Sequence, residues 1–331
     1  MNIQDKIEQI KKHLKYNEKK SSVLDIWINQ TDEVKDNKEI VLALLESHEL
    51  IFAYTSKRLR NDYDVALAAM KSNGSLLSYV STKLRNNENI VWPAIKQSGW
   101  VYEYIGKNLK NDKKLLLEAL KTSFSLLKYT SPELKNDADL ILSTIKLPKK
   151  FHLEYNILEY ASQEVKSNKS VVLPLMKVNG YSLKNASQDL RNDPEVVLEA
   201  VKHNSLSIQY ASKELRNDLD FMKQCVTICG VTLGYAGLNV RKNREIVKIA
   251  INNNPKIIKQ ANKKLSNDKE LALFVLEKDS ATLNFIGKNL REEIGDNNPI
   301  TYLRSCILKE AFEKSVPHAK KKNTIPKKNK I

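Results

Sequence analysis

Apolar and polar residues alternate along this chain with a long period. Take as an anchor the apolar residue just before a basic-Asn-Asp turn. The anchors are Val34, Leu59, Leu84, Leu109, Leu134, Val165, Leu190, Leu215, Val240, Leu265 and Leu290. Every interval is 25 residues except Leu134 to Val165, which is 31. Self-similarity of this kind marks stacked units that bury their apolar faces only against their neighbours. Three residues after the anchor stands Asp or Asn in ten copies, from Asn37, Asp62 and Asn87 to Asp268. These side chains accept hydrogen bonds from the free N–H groups of a helix's first turn. Apolar residues follow at i, i+1, i+4 and i+5, as in Val65, Ala66, Ala69, Met70 and in Val196, Val197, Ala200, Val201. That spacing is a helical stripe, without the alternation a strand requires.

Gly74, Gly99, Gly180 and Gly230 fall where this helix should end, at the place a left-handed glycine commonly occupies. A second helix is predicted between the glycine and the next anchor, over about Ser75–Arg85 in one copy. Seven residues before the anchor is always a large apolar side chain, from Trp27 and Phe52 to Leu283. Three before it stand small residues such as Ser56, Ser81, Gly106, Ser187 and Gly237, which would let helices approach closely. The expected fold is all-α: a right-handed helical-repeat solenoid, an α-α superhelix of about eleven 25-residue two-helix units. Tetratricopeptide and ankyrin units are longer, at about 33–34 residues, and leucine-rich repeats need an L-x-L strand that no copy shows.

The ends and two irregularities complete the division. Residues 1–22 hold an amphipathic capping helix (Ile3, Ile7, Ile10, Leu14) and a polar link. Repeats fill 23–146 and 153–291, separated by an insertion or joint at 147–152. A C-terminal capping helix is expected over 292–313, with Ile300, Leu303, Ile307, Leu308 and Phe312, before a basic disordered tail at 314–331. Pro93 and Pro174 share one mid-helix position and should each bend their helix.

Composition changes the picture in one respect. The net charge is +16, of which the seven lysines from Lys314 onward supply +7. Such a balance invites nucleic acid, anionic lipid or an acidic protein. The three cysteines make no disulfide framework, which points to a reducing compartment, cytoplasmic or, for a secreted protein, a host cell's cytosol or nucleus. No apolar run is long enough for a membrane span.

Two ladders could carry binding. One position after the anchor stand Lys35, Arg60, Arg85, Lys110, Lys135, Lys166, Arg191, Arg216, Arg241 and Arg291, with Ser266 the exception. A second basic series, Lys71, Lys96, Lys121, Lys146, Lys177 and Lys202, closes the other helix. Cations at helix C-termini complement the dipole; alternatively they track a phosphate backbone. Five before the anchor run Tyr54, Tyr79, Tyr104, Tyr129, Tyr160, Tyr210 and Tyr235. These rings either pack between repeats or serve as stacking platforms for a single strand. In the tail, Lys320, Lys321 and Lys322 form a patch of the nuclear-targeting or anionic-surface kind, or simply a solvated end. Cys225 and Cys229 lie four apart without a completing ligand, the histidines are scattered, and no phosphate loop, dinucleotide fingerprint or nucleophile elbow occurs. No catalytic residue, metal or cofactor is expected.

The units Leu190–Lys202 (LRNDPEVVLEAVK) and Tyr210–Asp218 (YASKELRND) resemble the repeat family catalogued as domain of unknown function 4116. The resemblance runs from about residue 23 to 291 and weakens around and after Val226, where Lys242 replaces the turn Asn and Lys223 and Lys248 replace apolar residues. It implies a fold and leaves activity open. Members occur in host-associated bacteria, which implies an effector or adaptor setting. The expected function is a non-enzymatic protein–protein interaction scaffold, monomeric, with nucleic-acid binding through the basic ladders or peripheral binding to anionic membranes as alternatives.

Overall fold

The computed structural model describes residues 3–15, 20–122, 124–147 and 156–315, and among them every regular element is helical. Asp62 shows how the long helix of a repeat starts. Its carboxylate accepts from the N–H groups of Asp64 (3.0 Å) and Val65 (3.2 Å), satisfying two donors that the helix Tyr63–Ser72 cannot satisfy itself. The Asp or Asn at this position caps in all ten copies, from Asn37 on Ile40 N–H to Asp268 on Leu271 N–H. The apolar stripe then packs inward, with Val65, Ala66, Ala69 and Met70 fully buried.

The second helix of the unit is two pieces, not one. Gly74–Tyr79 is a 3-10 helix, and Leu84–Asn86 is a separate short turn. The break lies at Val80 and Ser81. Val80 is extended and turns its side chain into the core. Ser81 then caps the short turn, its Oγ accepting from Leu84 N–H. Ser131, Ser162, Ser187 and Ser212 repeat this cap with extended backbone. A serine hydroxyl competes with the backbone for such N–H groups, and here it ends one helix by starting another. The 3-10 helix has its own cap, missed by the sequence reading: Asn73, Asn179, Asn204, Asn254 and Asp279 each accept from its second N–H.

Two classes of small residue have a different purpose from the one expected. The only positive-φ residue among those described is Gly295, so Gly74, Gly99, Gly180 and Gly230 are not left-handed caps. They are contact points between repeats. A Cβ on Gly74 would sit 2.5 Å from the Ala94 carbonyl oxygen and 2.8 Å from Ala94 Cα, in the next long helix. The small residues three before the anchor are caps where they are Ser or Asn. Where they are Gly, they leave room for the turn Asn of the preceding repeat. A Cβ on Gly287 would lie 2.2 Å from Asn267 Oδ1, and that oxygen accepts from Leu290 N–H at 3.0 Å. The preceding repeat thus supplies the cap that glycine lacks.

A backbone hydrogen bond also joins successive repeats. The N–H three before the anchor donates to the carbonyl one after the previous anchor, as in Ser81 to Arg60 (3.2 Å), Ser187 to Lys166 (2.9 Å) and Asn262 to Arg241 (3.0 Å).

Chain contacts divide the molecule into two compact units, Met1–His203 and Asn204–Ile331. In the first, the helix Ile3–Lys15 buries Ile7 and Ile10 and packs on Lys38–Leu45, as a terminal cap should. The segment expected as a link is already helical from Lys20, because Lys20–Ile28 seats the buried Trp27. Pro93 and Pro174 remain inside the helices Glu88–Gln97 and Lys169–Met176. In the second unit, the helix Pro299–Ser315 packs on Lys269–Lys278. Only Leu303 of its expected stripe is buried, and Leu308 and Phe312 are about 70% exposed. Most of the insertion at 147–152, and the tail beyond 315, lie outside the described residues.

Candidate functional site

The repeats present two surfaces. One is formed by the N-termini of the long helices, and it is covered by ion pairs between repeats. The base four after one anchor meets the cap acid three after the next. Lys38 pairs with Asp62 (2.9 Å) and Asp64 (2.6 Å), and Lys169 with Asp193 (2.7 Å) and Glu195 (2.8 Å). Arg244 pairs with Asp268 (2.5 Å) and Glu270 (2.6 Å), Lys269 with Glu293 (2.8 Å), and Lys113 with Asp137. Burial pushes the carboxyls of Asp62, Asp137 and Asp193 up, but the neighbouring ammonium and the helix N–H groups outweigh it and hold them below the ordinary range. This ladder was missed, although the sequence carries its signal. Wherever the residue four after an anchor is basic, the next cap is acidic.

The basic ladder one after the anchor also turns inward. Lys110 Nζ donates to the carbonyls of Tyr102 (2.6 Å) and Glu103 (2.9 Å). Lys135 reaches Lys128 O (2.9 Å), Lys166 reaches Glu159 O (3.1 Å), and Lys35 reaches Ile28 O. Each closes the C-terminal end of the helix that precedes it, a 3-10 helix for Lys110, Lys135 and Lys166 and the α-helix Lys20–Ile28 for Lys35, where cations are favoured. Burial pushes the Lys110 ammonium down. The arginines of this ladder are buried at Nε, and two of them reach a different carbonyl. Nε of Arg60, Arg85, Arg191, Arg216, Arg241 and Arg291 is buried without an acceptor. Nη1 of Arg85 and of Arg216 reaches the carbonyl of Tyr104 and of Tyr235 in the following repeat, each at 3.4 Å. In the second basic series, Lys121 and Lys202 pair with Glu118 and Glu199 on their own helices.

The other surface is formed by the 3-10 helices, which lie side by side within each compact unit. Each ends on the tyrosine ladder. Tyr54, Tyr79 and Tyr129 are exposed, and Tyr104, Tyr160, Tyr210 and Tyr235 are half-buried. The rings of Tyr54, Tyr79 and Tyr129 therefore border solvent. Among the described residues the hydroxyls of Tyr54, Tyr79 and Tyr104 meet no protein partner. Trp100, also exposed, stands edge-on to Tyr104 with centroids 5.7 Å apart. Lys128 and Lys184 lie over the rings of Tyr129 and Tyr181 at 4.5 and 6.0 Å. Leu50, Tyr181 and Leu206 occupy the same repeat position as Trp100 and are likewise exposed. This second apolar position of the surface had no periodic signal clear enough to single it out.

Other features lead nowhere chemical. Cys225 is buried in the apolar stripe, where burial pushes its thiol up to about 12. Among the described residues no three His, Cys, Asp or Glu side chains converge to hold a metal, and no helix is long and apolar enough to cross a membrane. Lys320, Lys321 and Lys322 lie outside the described residues.

These features define an all-α helical-repeat protein whose side-chain chemistry is periodic. The model of the family described as domain of unknown function (DUF4116) matches in tandem at residues 37–85, 65–110, 87–135, 149–191, 193–241 and 243–291. The chain belongs to that family. No curated protein and no solved structure matches it.

Proposed function

We propose that the protein is a non-enzymatic scaffold that binds another protein through the surface of its 3-10 helices. The observation that carries this reading is the exposed ring of Tyr54, Tyr79 and Tyr129, repeated at one position and left at the solvent border. Aromatic residues are enriched at protein–protein interfaces and in their hot spots. The finer architecture, a right-handed superhelix of eleven units, is part of this proposal, and the hydrogen bond that recurs from repeat to repeat supports the stacking of neighbouring units. Nucleic-acid binding is less well supported, because the ladder expected to track phosphates lends its ammonium groups to the chain's own carbonyls.

Affinity capture with the full chain, followed by mass spectrometry with and without nuclease, tests this. A partner protein retained after nuclease, and lost when Tyr54 and Tyr79 become Ser, is the expected result. Retention that disappears with nuclease would overturn it.

A further inference from the structure

The second compact unit carries charge that the fold leaves unanswered. Its 3-10 helices Ser205–Tyr210, Gly230–Tyr235, Pro255–Gln260 and Ser280–Phe285 follow one another in contact. Among their residues only Lys256 and Lys259 are charged, and both are exposed. A 3-10 helix has three residues per turn, so these two side chains share one face. Their Nζ atoms lie 5.8 and 5.3 Å from the ring centroid of Phe285, in the next 3-10 helix. Elsewhere in this unit Lys223, Arg244, Lys269 and Arg304 each meet a carboxylate. Among the described residues Lys256 and Lys259 meet none. No acid occurs from Ile246 to Asn267, and Asp279 accepts from Ala281 N–H (3.0 Å) at the end of its helix away from Phe285. Two like charges are thus brought to one ring without a counter-charge from the chain.

We propose that this face docks a short acidic segment of a partner protein, two carboxylates of the segment seated on Lys256 and Lys259 and its uncharged flanks lying over the neighbouring 3-10 helices. This rests on the scaffold reading and gives it a ligand chemistry. The sign of the charge requires an anion. The charge pattern selects a short one, because the helices on either side, GVTLGY and SATLNF, hold no charge. A nucleic-acid strand repeats its charge at every nucleotide and needs cations along its whole track. An anionic membrane likewise rewards a broad cluster of about four to eight basic residues. Here the cations are confined to one 3-10 helix, so a polyanion would lay most of its charge over uncharged surface. Gly234 leaves room for the backbone of the segment. It stands in the repeat position of Lys259, and a Cβ there would have Gln260 as its nearest neighbour, at 3.6 Å.

The test is fluorescence anisotropy with the full chain and a labelled peptide of Ala, Ser and Thr that carries two adjacent glutamates at its centre. Controls are the same peptide with glutamines, oligouridylate, and vesicles of phosphatidylserine in phosphatidylcholine. At low salt the glutamate peptide should bind at least about fivefold tighter than the glutamine peptide, the size that two exposed ion pairs give, and the gap should close as salt rises. Lys256→Gln with Lys259→Gln should abolish that preference. Lys256→Glu with Lys259→Glu should transfer it to a peptide with lysines in place of the glutamates, which a misfolded chain could not do. Equal binding of the glutamate and glutamine peptides, or a preference that survives the double glutamine variant, would overturn the proposal. So would lysine-dependent binding of oligouridylate or of the vesicles that is tighter than binding of the glutamate peptide. If tyrosine-dependent capture of a partner protein persists while the glutamate peptide shows no preference, the ligand chemistry is wrong and the scaffold reading stands. If capture is lost with nuclease, the scaffold reading falls and this one with it.

Discussion

The two surfaces of the repeat use their conspicuous residues in opposite ways. At the N-termini of the long helices, charge is consumed by the fold: Lys38, Lys169 and Arg244 each bridge to the cap acid of the next repeat. On the surface of the 3-10 helices, Lys110, Lys135 and Lys166 are likewise spent on carbonyls, while the rings of Tyr54 and Tyr79 stand exposed. A regular ladder in a repeat protein can therefore be structural or available, and sequence regularity does not separate the two. Hydrogen-bond partners do.

The contrast can be broken by substitution, and the largest effect should come from a contact between repeats. Gly74→Ala forces a methyl against the backbone of the helix Glu88–Gln97, which cannot yield as a side chain would. Urea denaturation should show a loss of about 3 kcal/mol. On the ion-paired surface, Asp62→Ala removes a cap and should cost about 1 kcal/mol, whereas Asp62→Asn keeps the cap, as Asn87 does, and should cost less. The acid limb of stability follows from the same carboxyls. Asp62, Asp137 and Asp193 are held below their ordinary value of 3.8, so their contribution is complete above that pH and is lost as pH falls through the lower folded values. Changing all three to Asn should flatten the loss of melting temperature below that pH.

Arg60→Lys should be neutral or slightly stabilising. Lysine at this position reaches the carbonyl seven residues earlier, which is that of Ala53, and the orphaned Arg60 Nε–H disappears. The smallest effect belongs to Tyr79→Ser, which should change stability by less than about 0.5 kcal/mol in the same denaturation because the ring is half in solvent. A tyrosine substitution that unfolded the chain would merge the two surfaces into one structural system.

Much of the fold was legible because the repeat averages out local noise. The caps at Asp62 and its equivalents, the buried stripe, and the helical class all followed from spacing. The break at Val80 and Ser81 did not, because a serine beside an apolar residue is compatible with a continuous helix until the serine is seen to cap. The glycines misled for a related reason. Gly74 after a helix reads as a left-handed cap, and only the neighbouring repeat shows that the space is taken by Ala94. The basic ladder was legible as a ladder, but its target carbonyls are defined by the fold of the 3-10 helix, which no propensity revealed. The ion pairs were recoverable from the matched charges at Lys38 and Asp62, and at Arg244 and Asp268, had positions been compared across repeats.

The central claim is that the exposed tyrosines of the ladder are available to a partner and the arginine ladder belongs to the fold. It is tested most directly by nuclease-treated affinity capture with two variants of equal thermal stability. One carries Tyr54→Ser, Tyr79→Ser and Tyr129→Ser, and the other Arg60→Lys and Arg85→Lys. The tyrosine variant should lose the retained protein and the arginine variant should keep it. Full retention by the tyrosine variant, with loss by the arginine variant, would contradict the account.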